Sequence, residues 1–374
     1  MRDNKHEDNF ILMVVYNAIQ YDARVIRAAE IISSLGEKVV VISCNSDETY
    51  FNSNFSSFSF NSKYKGGLSL LTFWYYVVKY SIINRQKIKL LYLHDYYLVF
   101  IGRFLNFISN IKWVYDAHEL LIERKETKHN LRESFFLLLE KHSIKHAHLV
   151  VAANQERERI LKSVYRLKNT VNILNISPNI KHNQAENILI KEDYIVYQGY
   201  LSKDRDIEDY ILLLINLPKN IKLKIIGGGP DLDYFKDLVV KLNLEERVCF
   251  TGKIPYSQLI RENLNCKIGI VSYSLEGLNN YYCSPNKLYE YAQLNMPMIF
   301  SPQPFLTRIS KKYRIGEVIS KEMEIDKKID LITQLFENIE IYQTNMLMFI
   351  SDFTYENEMR KLTKSITDLM VQNS

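Results

Sequence analysis

The segment Ser284-Pro285-Asn286-Lys287-Leu288-Tyr289-Glu290-Tyr291 puts a cation and a carboxylate at the start of a helix. Ser284 is placed to cap the free backbone N–H groups, Pro285 suits the first helical position, and the positive end of the helix dipole faces whatever precedes Ser284. Lys287 and Glu290 are three residues apart and share one helix face. An ammonium there can meet a phosphate while the carboxylate accepts hydrogen bonds from ribose hydroxyls, which is how a protein holds a nucleoside diphosphate. The other reading is an ordinary capped helix with a surface ion pair, and the motif alone does not separate the two.

More polar side chains stand where apolar runs end. Tyr194–Gln198 leads into Gly199-Tyr200 and then Arg205, whose guanidinium fork fits two phosphate oxygens or pairs with Asp206 or Glu208 on the surface. Lys222–Ile226 leads into Gly227-Gly228-Gly229-Pro230, where missing side chains admit either a ligand or a tight turn. This loop is not a dinucleotide fingerprint, because G-x-G-x-x-G needs glycine where Leu232 stands, and Asn17–Arg24 after the first apolar run has no glycine. A nicotinamide dehydrogenase is disfavoured. His94-Asp95 and Asp116-Ala117-His118-Glu119 close two further runs, a position that suits binding better than a histidine inside a strand.

These residues need parallel strands to hold them at one edge. Short β-branched runs alternate with helical patterns: Phe10–Tyr16, Lys38–Ser43, Leu90–His94, Lys112–Tyr115, Leu149–Ala152 and Val171–Leu174, then Tyr194–Gln198, Lys222–Ile226, Val248–Phe250, Lys267–Ser272 and Met298–Ser301. Val25, Ala28, Ala29, Ile32 and Leu35 fall at helical spacing, with Gly36 able to end that helix in the left-handed conformation. The pattern predicts an α/β chain of two Rossmann-like, doubly wound parallel-sheet lobes facing a central cleft. The first lobe spans residues 1–180 and the second 181–350, with the break at Ile176–Glu186, and a helix within 351–374 crosses back to the first lobe.

The composition, 47% hydrophobic and 24% charged over 374 residues, is globular and long enough for two cores. Cys44, Cys249, Cys266 and Cys283 show no paired ligand spacing, so reduced thiols and no metal site are expected. Neither a signal peptide nor an apolar run of membrane-spanning length is visible, which predicts a cytoplasmic protein. The net charge of +5 divides unevenly, +7 over residues 1–180 and −2 over the rest. Most of the excess lies in residues 51–115, which hold eight Lys/Arg, one acid, Asp95, and 18 of the 46 aromatic residues. That mixture suits an anionic membrane interface, with Leu68–Arg85 and its Phe73, Trp74, Tyr75, Tyr76 and Tyr80 as the contact, or a core whose aromatics pack inward while lysines face water. No nucleic-acid-binding motif accompanies it.

Taken in order and spacing, Tyr197 to Ser301 resembles the donor-binding lobe of retaining GT-B glycosyltransferases of family four. The matching runs are Gln198-Gly199 with Arg205, Ile225-Ile226-Gly227-Gly228-Gly229-Pro230, Phe250-Thr251-Gly252, Ile268-Gly269-Ile270-Val271-Ser272-Tyr273, and Pro285–Tyr291 with Met296-Pro297-Met298-Ile299. The first lobe resembles the family more loosely, through Asp22-Ala23-Arg24 and Tyr115-Asp116-Ala117-His118-Glu119-Leu120, and Tyr355–Glu358 is similar to the closing helix.

The resemblance implies metal-independent transfer of a hexosyl or N-acetylhexosaminyl group from a nucleoside diphosphate sugar with retained anomeric configuration and no cofactor; UDP is expected before GDP, and no side chain that chooses between the two bases is identifiable in the sequence. It implies that Arg205 and Lys287 neutralise the leaving diphosphate, that Glu290 binds the ribose and that Lys253 and Ile254 meet the base. Gly199, Gly228, Tyr282, Ser284 and Asn286 line the donor, His118 touches its sugar, and Asp22, Arg24 and His94 lie toward the acceptor. Two positions depart from the family. Its second glutamate, eight positions before Glu290, is Tyr282 here, with Glu276-Gly277 a displaced version, and a usual basic residue after Gly199 is Tyr200. The expected acceptor is a lipid-linked glycan or cell-surface polysaccharide precursor, such as one for lipopolysaccharide or capsule, handled on the inner face of the cytoplasmic membrane. The alternatives are a soluble transferase with a small acceptor and a catalytically weak sugar-nucleotide-binding partner of a glycan-assembly complex.

Overall fold

The computed structural model describes residues 9–46, 51–122, 131–178 and 192–371. They divide into two compact units that change over between Leu174 and Asn175, with the chain from Glu356 onward counted in the first unit. The boundary expected at residue 180 falls outside the described residues.

In the first unit seven strands form one sheet: β1 (Phe10–Val15), β2 (Val39–Cys44), β3 (Ser56–Phe60), β4 (Ile88–His94), β5 (Trp113–Ala117), β6 (Leu149–Ala152) and β7 (Thr170–Asn172), in the order β3-β2-β1-β4-β5-β6-β7 with all pairs parallel. β1 and β2 are buried at every residue, as their unbroken apolar sequences require of strands covered on both faces. β3, with sequence SSFSF, is partly exposed at the sheet edge, and its alternating serines hide it from a search for apolar runs. The helix Ala23–Ser33 is capped by Asp22, whose side chain accepts from the Val25 N–H at 3.3 Å, and Gly36 adopts φ +79° just beyond it. The helix Tyr355–Val371 joins this unit at its end: the Leu174 N–H donates to Glu358 at 2.8 Å and Lys112 Nζ donates to the Leu369 carbonyl at 3.0 Å.

The second unit has six parallel strands: β8 (Tyr194–Gln198), β9 (Lys222–Ile226), β10 (Val248–Gly252), β11 (Ile268–Val271), β12 (Met298–Phe300) and β13 (Gly316–Val318), in the order β10-β9-β8-β11-β12-β13. Strand order reverses between β8 and β11 here, and between β1 and β4 in the first unit. At such a switch point the loops diverge to opposite faces and leave a crevice at the strands' carboxyl ends. β13 is too short to announce itself in the sequence; a Cβ at Gly316 would lie 2.0 Å from the Met298 carbonyl oxygen, so glycine is what lets it lie against β12.

The helix Asn286–Gln293 is pinned on both sides. Tyr291 lies over Gly269 of β11, where a Cβ would meet its ring at 2.3 Å, and Tyr289 stacks on Phe349 of the helix Ile339–Asp352 at 6.1 Å. The helix begins one residue later than the sequence suggests. Pro285 is extended, with ψ 126°, and takes the cap position itself with no side-chain cap hydrogen bond, so Ser284 does not cap it.

Candidate active site

The carboxyl ends of β8, β9 and β11 bring a set of charged and aromatic side chains together within the second unit. Lys287, in the first turn of the helix Asn286–Gln293, is 6% exposed. Its Nζ lies 4.2 Å from the centre of the Tyr197 ring on β8 and 5.1 Å from that of Tyr273, just past β11. Arg205 covers the same Tyr273 ring with its guanidinium carbon at 4.7 Å. One aromatic ring therefore holds two cations, each attracted by the ring quadrupole and repelled by the other. Among the described residues no carboxylate comes within 4 Å of Lys287 Nζ, while Arg205 Nε has Asp204 at 3.8 Å. Burial first, and the Arg205 charge second, pull Lys287 down to about 7.

The expected partners of Arg205 do not hold it. Asp206 instead accepts from the Ser272 hydroxyl at 2.8 Å, and the pair with Asp204 is a solvent-facing one of small worth.

The glycines divide by role. A Cβ on Gly227 would lie 1.8 Å from the Gly199 carbonyl oxygen, and one on Gly229 would lie 2.1 Å from that of Leu201. These two serve the turn: the Gly199 N–H donates to Ile226 and the Leu201 N–H to Gly228, stitching the β8 and β9 loops together. Gly228 faces more open space, its nearest neighbour being the Lys253 side chain at 3.7 Å, and Gly199, at φ +143°, would place a Cβ 3.8 Å from Lys287 Nζ. The backbone at Gly199 and Gly228 is thus open toward Lys287 and Lys253.

Glu290, one turn along from Lys287, is buried, and its Oε2 accepts from Gln198 Nε2 at 2.5 Å. Gln198 Oε1 in turn accepts from Asn263 Nδ2 at 2.5 Å. Lys253 is exposed just beyond β10, and Ile254, Tyr282, Ser284 and Asn286 are half-buried. Ser284 meets Asn175 through its carbonyl, which accepts at 2.9 Å. Glu276 is exposed, and its N–H donates to the Ser274 hydroxyl at 3.0 Å.

In the first unit, strand register decides the arrangement. His94 of β4 pairs with Asp116 of β5, and Tyr92, two residues back, shares its face of the sheet. Arg24, 8% exposed, donates from Nε and Nη2 to Asp116 Oδ1 at 2.9 and 2.7 Å and from Nη1 to the Ile173 carbonyl at 3.0 Å. Tyr92 donates to Asp116 Oδ2 at 3.0 Å. His94 Nδ1 meets His118 Nε2 at 3.0 Å, and Arg157 donates to the His118 carbonyl at 2.6 Å. Burial brings His94 to about 3 and also lowers His118, so both rings are neutral near pH 7. Burial alone would raise Asp116, but Arg24, His118 and His94 reverse this and hold it below the usual carboxylate range.

Of the three residues expected toward the acceptor, Arg24 and His94 are buried and Asp22 is half-buried. Arg24 is bound to Asp116, and His94 is fully buried against His118. Asp22 caps a helix and receives Asn17 Nδ2 at 3.3 Å. His118 is the partly exposed member. His94, Asp116 and His118 also bring three metal-ligand atoms within 4.8 Å. The set does not fit a divalent ion: Asp116 already has a guanidinium at 2.7 Å, and a metal would have to displace it and the imidazole contact.

Tyr197, Tyr273, Gln198 and Asn263 were not singled out by sequence as parts of the site. Tyr273 had a signal in standing directly after β11 at a switch point; Asn263, inside the helix Tyr256–Leu264, had none.

Residues 178–346 match the family model described as Glycosyl transferases group 1. An uncharacterized glycosyltransferase of Methanocaldococcus jannaschii is 26% identical over 255 residues, which cover 62% of this chain and 56% of that protein. Among solved structures, Alr3699/HepE of Anabaena in complex with UDP and glucose aligns with a TM-score of 0.74 at 16% identity, covering 96% of this chain and all of that one. WaaG, a glycosyltransferase involved in lipopolysaccharide biosynthesis, aligns at 0.70 with 13% identity, covering 96% and 99%. At these identities the structures speak for the fold. The chain thus carries a glycosyl transferases group 1 domain, residues 178–346, within a GT-B fold.

Proposed function

We propose that the protein is a retaining glycosyltransferase that moves a sugar from a nucleoside diphosphate sugar, UDP rather than GDP, to a hydroxyl of a lipid-linked glycan or cell-surface polysaccharide precursor. The observation that carries this reading is the ammonium of Lys287, sealed between two tyrosine rings beside Arg205 with no carboxylate within 4 Å among the described residues. Two buried or half-buried cations on one ring are a costly arrangement that an anion completes, and a diphosphate brings enough negative charge for both. The complexes of the Anabaena neighbour with UDP and glucose support the donor class.

In this reading the bond between the anomeric carbon and the phosphate oxygen breaks, and a bond to the acceptor oxygen forms on the same face. The acceptor's proton passes to the leaving diphosphate. Arg205 and Lys287 stabilise the charge that develops there, a role that requires no metal, and preorganised charges of this kind supply the larger part of such catalysis. Glu290 takes the ribose hydroxyls, and Lys253 and Ile254 flank the base.

A membrane-bound acceptor is supported by the first unit's surface. Leu68, Leu71, Tyr75, Ile82 and Ile83 are exposed on the helix Gly66–Ile83, Phe100, Phe104, Phe107 and Ile108 on Val99–Ser109, and Leu131, Phe135 and Leu138 on Leu131–Ser143. Of the five aromatics expected at the interface only Tyr75 is fully outward: Phe73 packs on Tyr16 and Phe60, Tyr76 on Phe60 and Tyr80, and Trp74 donates to the Tyr97 carbonyl. No helix among the described residues is long and apolar enough to cross a membrane. The exposed apolar stripes are what support a peripheral position on the inner face of the cytoplasmic membrane.

The test is donor turnover. Lys287→Ala and Glu290→Ala should each lower release of nucleoside diphosphate roughly a hundredfold while the circular dichroism spectrum is kept, the scale for loss of one charge-stabilising group. Near-normal turnover in either removes the role assigned to it.

A further inference from the structure

Gln198 ends β8 with its side chain buried between two partners that lie 65 and 92 residues away in sequence, Asn263 and Glu290. The donor and acceptor ends of its amide are used in opposite directions: Nε2 donates to Glu290 Oε2, and Oε1 accepts from Asn263 Nδ2, both at 2.5 Å. The chemistry permits only this orientation when Glu290 is ionised, because a carboxylate can only accept, so the NH2 end of Gln198 must face it. Glutamine alone could turn over about its terminal torsion and set carbonyl oxygen against carboxylate. Asn263, itself buried, prevents that by presenting its own NH2 to the Gln198 carbonyl.

We infer that Gln198, locked by Asn263, is a positioning residue that holds the Glu290 carboxylate in the orientation in which it recognises the ribose of a nucleotide donor. The inference deepens the donor-site reading and rests on it. A neutral amide is suited to this task where a lysine would not be. It fixes one carboxylate oxygen by a charge-assisted bond without quenching the negative charge. The bonds tie together three elements, β8 and the helices Tyr256–Leu264 and Asn286–Gln293, the last of which carries Lys287 and Glu290. A carboxylate misplaced by even an ångström costs orientation at the site it serves.

The experiment measures dissociation constants by calorimetry for UDP, GDP, their 2′-deoxy counterparts and pyrophosphate, on the wild-type chain, Gln198→Leu, Asn263→Asp and Glu290→Ala. The wild type should prefer the ribonucleotide by about tenfold or more, as expected for hydrogen bonds to a charged group. Gln198→Leu should bring that ratio close to that of Glu290→Ala while pyrophosphate binds as in the wild type, which shows that the cation site is intact. Asn263→Asp should do the same by a different route, since an aspartate there takes the NH2 of Gln198 and turns its carbonyl on Glu290. If one variant fails to fold, the other still decides. A wild type that binds UDP or GDP without preferring the ribose form overturns the role of Glu290 itself. A wild type that discriminates, with Gln198→Leu and Asn263→Asp discriminating equally, overturns the relay and leaves Glu290 standing.

Discussion

An ammonium enclosed by the rings of Tyr197 and Tyr273 loses the water that stabilises its charge, and Arg205 adds repulsion, so Lys287 falls to about 7. Its pKa is lower in the folded chain than in the unfolded one. Between about 7 and the usual lysine value the unfolded chain therefore binds the extra proton, and stability of the empty protein rises with pH across that window. Binding runs the other way. A diphosphate favours the ammonium, so affinity for UDP or GDP should fall by up to about tenfold per pH unit above 7, with proton uptake at pH 8. Calorimetry in buffers of different ionisation enthalpy measures this directly, and Lys287→Arg should flatten the dependence; a pH-independent affinity from 7 to 9 would contradict it. That Lys287 and Glu290 share one helix was legible because three-residue spacing on a helix is local information. The burial of Arg24 and His94 was not legible, because the pairing of Arg24 with Asp116 across 92 residues and of His94 with Asp116 across two strands is tertiary, which local spacing does not reveal.

Between strand and loop, the two glycines that touch backbone and the one that does not make a sharp contrast. Gly227→Ala would force a Cβ to within 1.8 Å of the Gly199 carbonyl at a φ of +144°, whereas Gly228→Ala would meet only the Lys253 side chain at ordinary contact distance. Urea unfolding should show Gly227→Ala weakened by about 2–3 kcal/mol and Gly228→Ala within about 0.5 kcal/mol of the parent. Equal midpoints for the two would contradict the assignment of Gly227 to the turn. The buried strands were readable as apolar runs, and β8 and β9 fall on the residues the pattern predicts. The edge strands β3 and β13 escaped it, the first because three of its five residues are serines and the second because three residues beginning with a glycine carry no period. The start of the helix Asn286–Gln293 is a one-residue displacement, of the size that Pro285 in an extended conformation produces.

At the scale of the whole molecule the first unit combines an excess of positive charge with outward apolar stripes on consecutive helices. Phe100, Phe104, Phe107 and Ile108 recur at helical spacing on one face of Val99–Ser109, and Trp74 of the preceding helix lies 6.1 Å from Phe100. Lys79 and Arg85 are exposed close by, while Lys89 is already paired with Glu37 at 2.7 Å. The proposed membrane contact predicts flotation with vesicles containing anionic lipid, weakened by high salt, and a loss of about tenfold in the combined variant Tyr75→Ser and Phe107→Ser. Removing charge at Lys79 and Arg85 should weaken it further, and Lys89→Ala should do little. Flotation insensitive to all of these would assign the stripes to another purpose. The charge asymmetry was visible in composition; which aromatics face outward was not, since Phe73 and Tyr75 differ only in the helix face they occupy.

If Lys287, Arg205 and Glu290 form a nucleoside diphosphate site, thermal unfolding with UDP, GDP, ADP and a nicotinamide dinucleotide, without added metal, will register it. A ligand at about 100 times its dissociation constant stabilises by about 2.7 kcal/mol. The account predicts a clear upward shift with one nucleoside diphosphate, UDP before GDP, none with the dinucleotide, and loss of the shift in Lys287→Ala. No shift with any diphosphate, or a shift unchanged in Lys287→Ala, would contradict it.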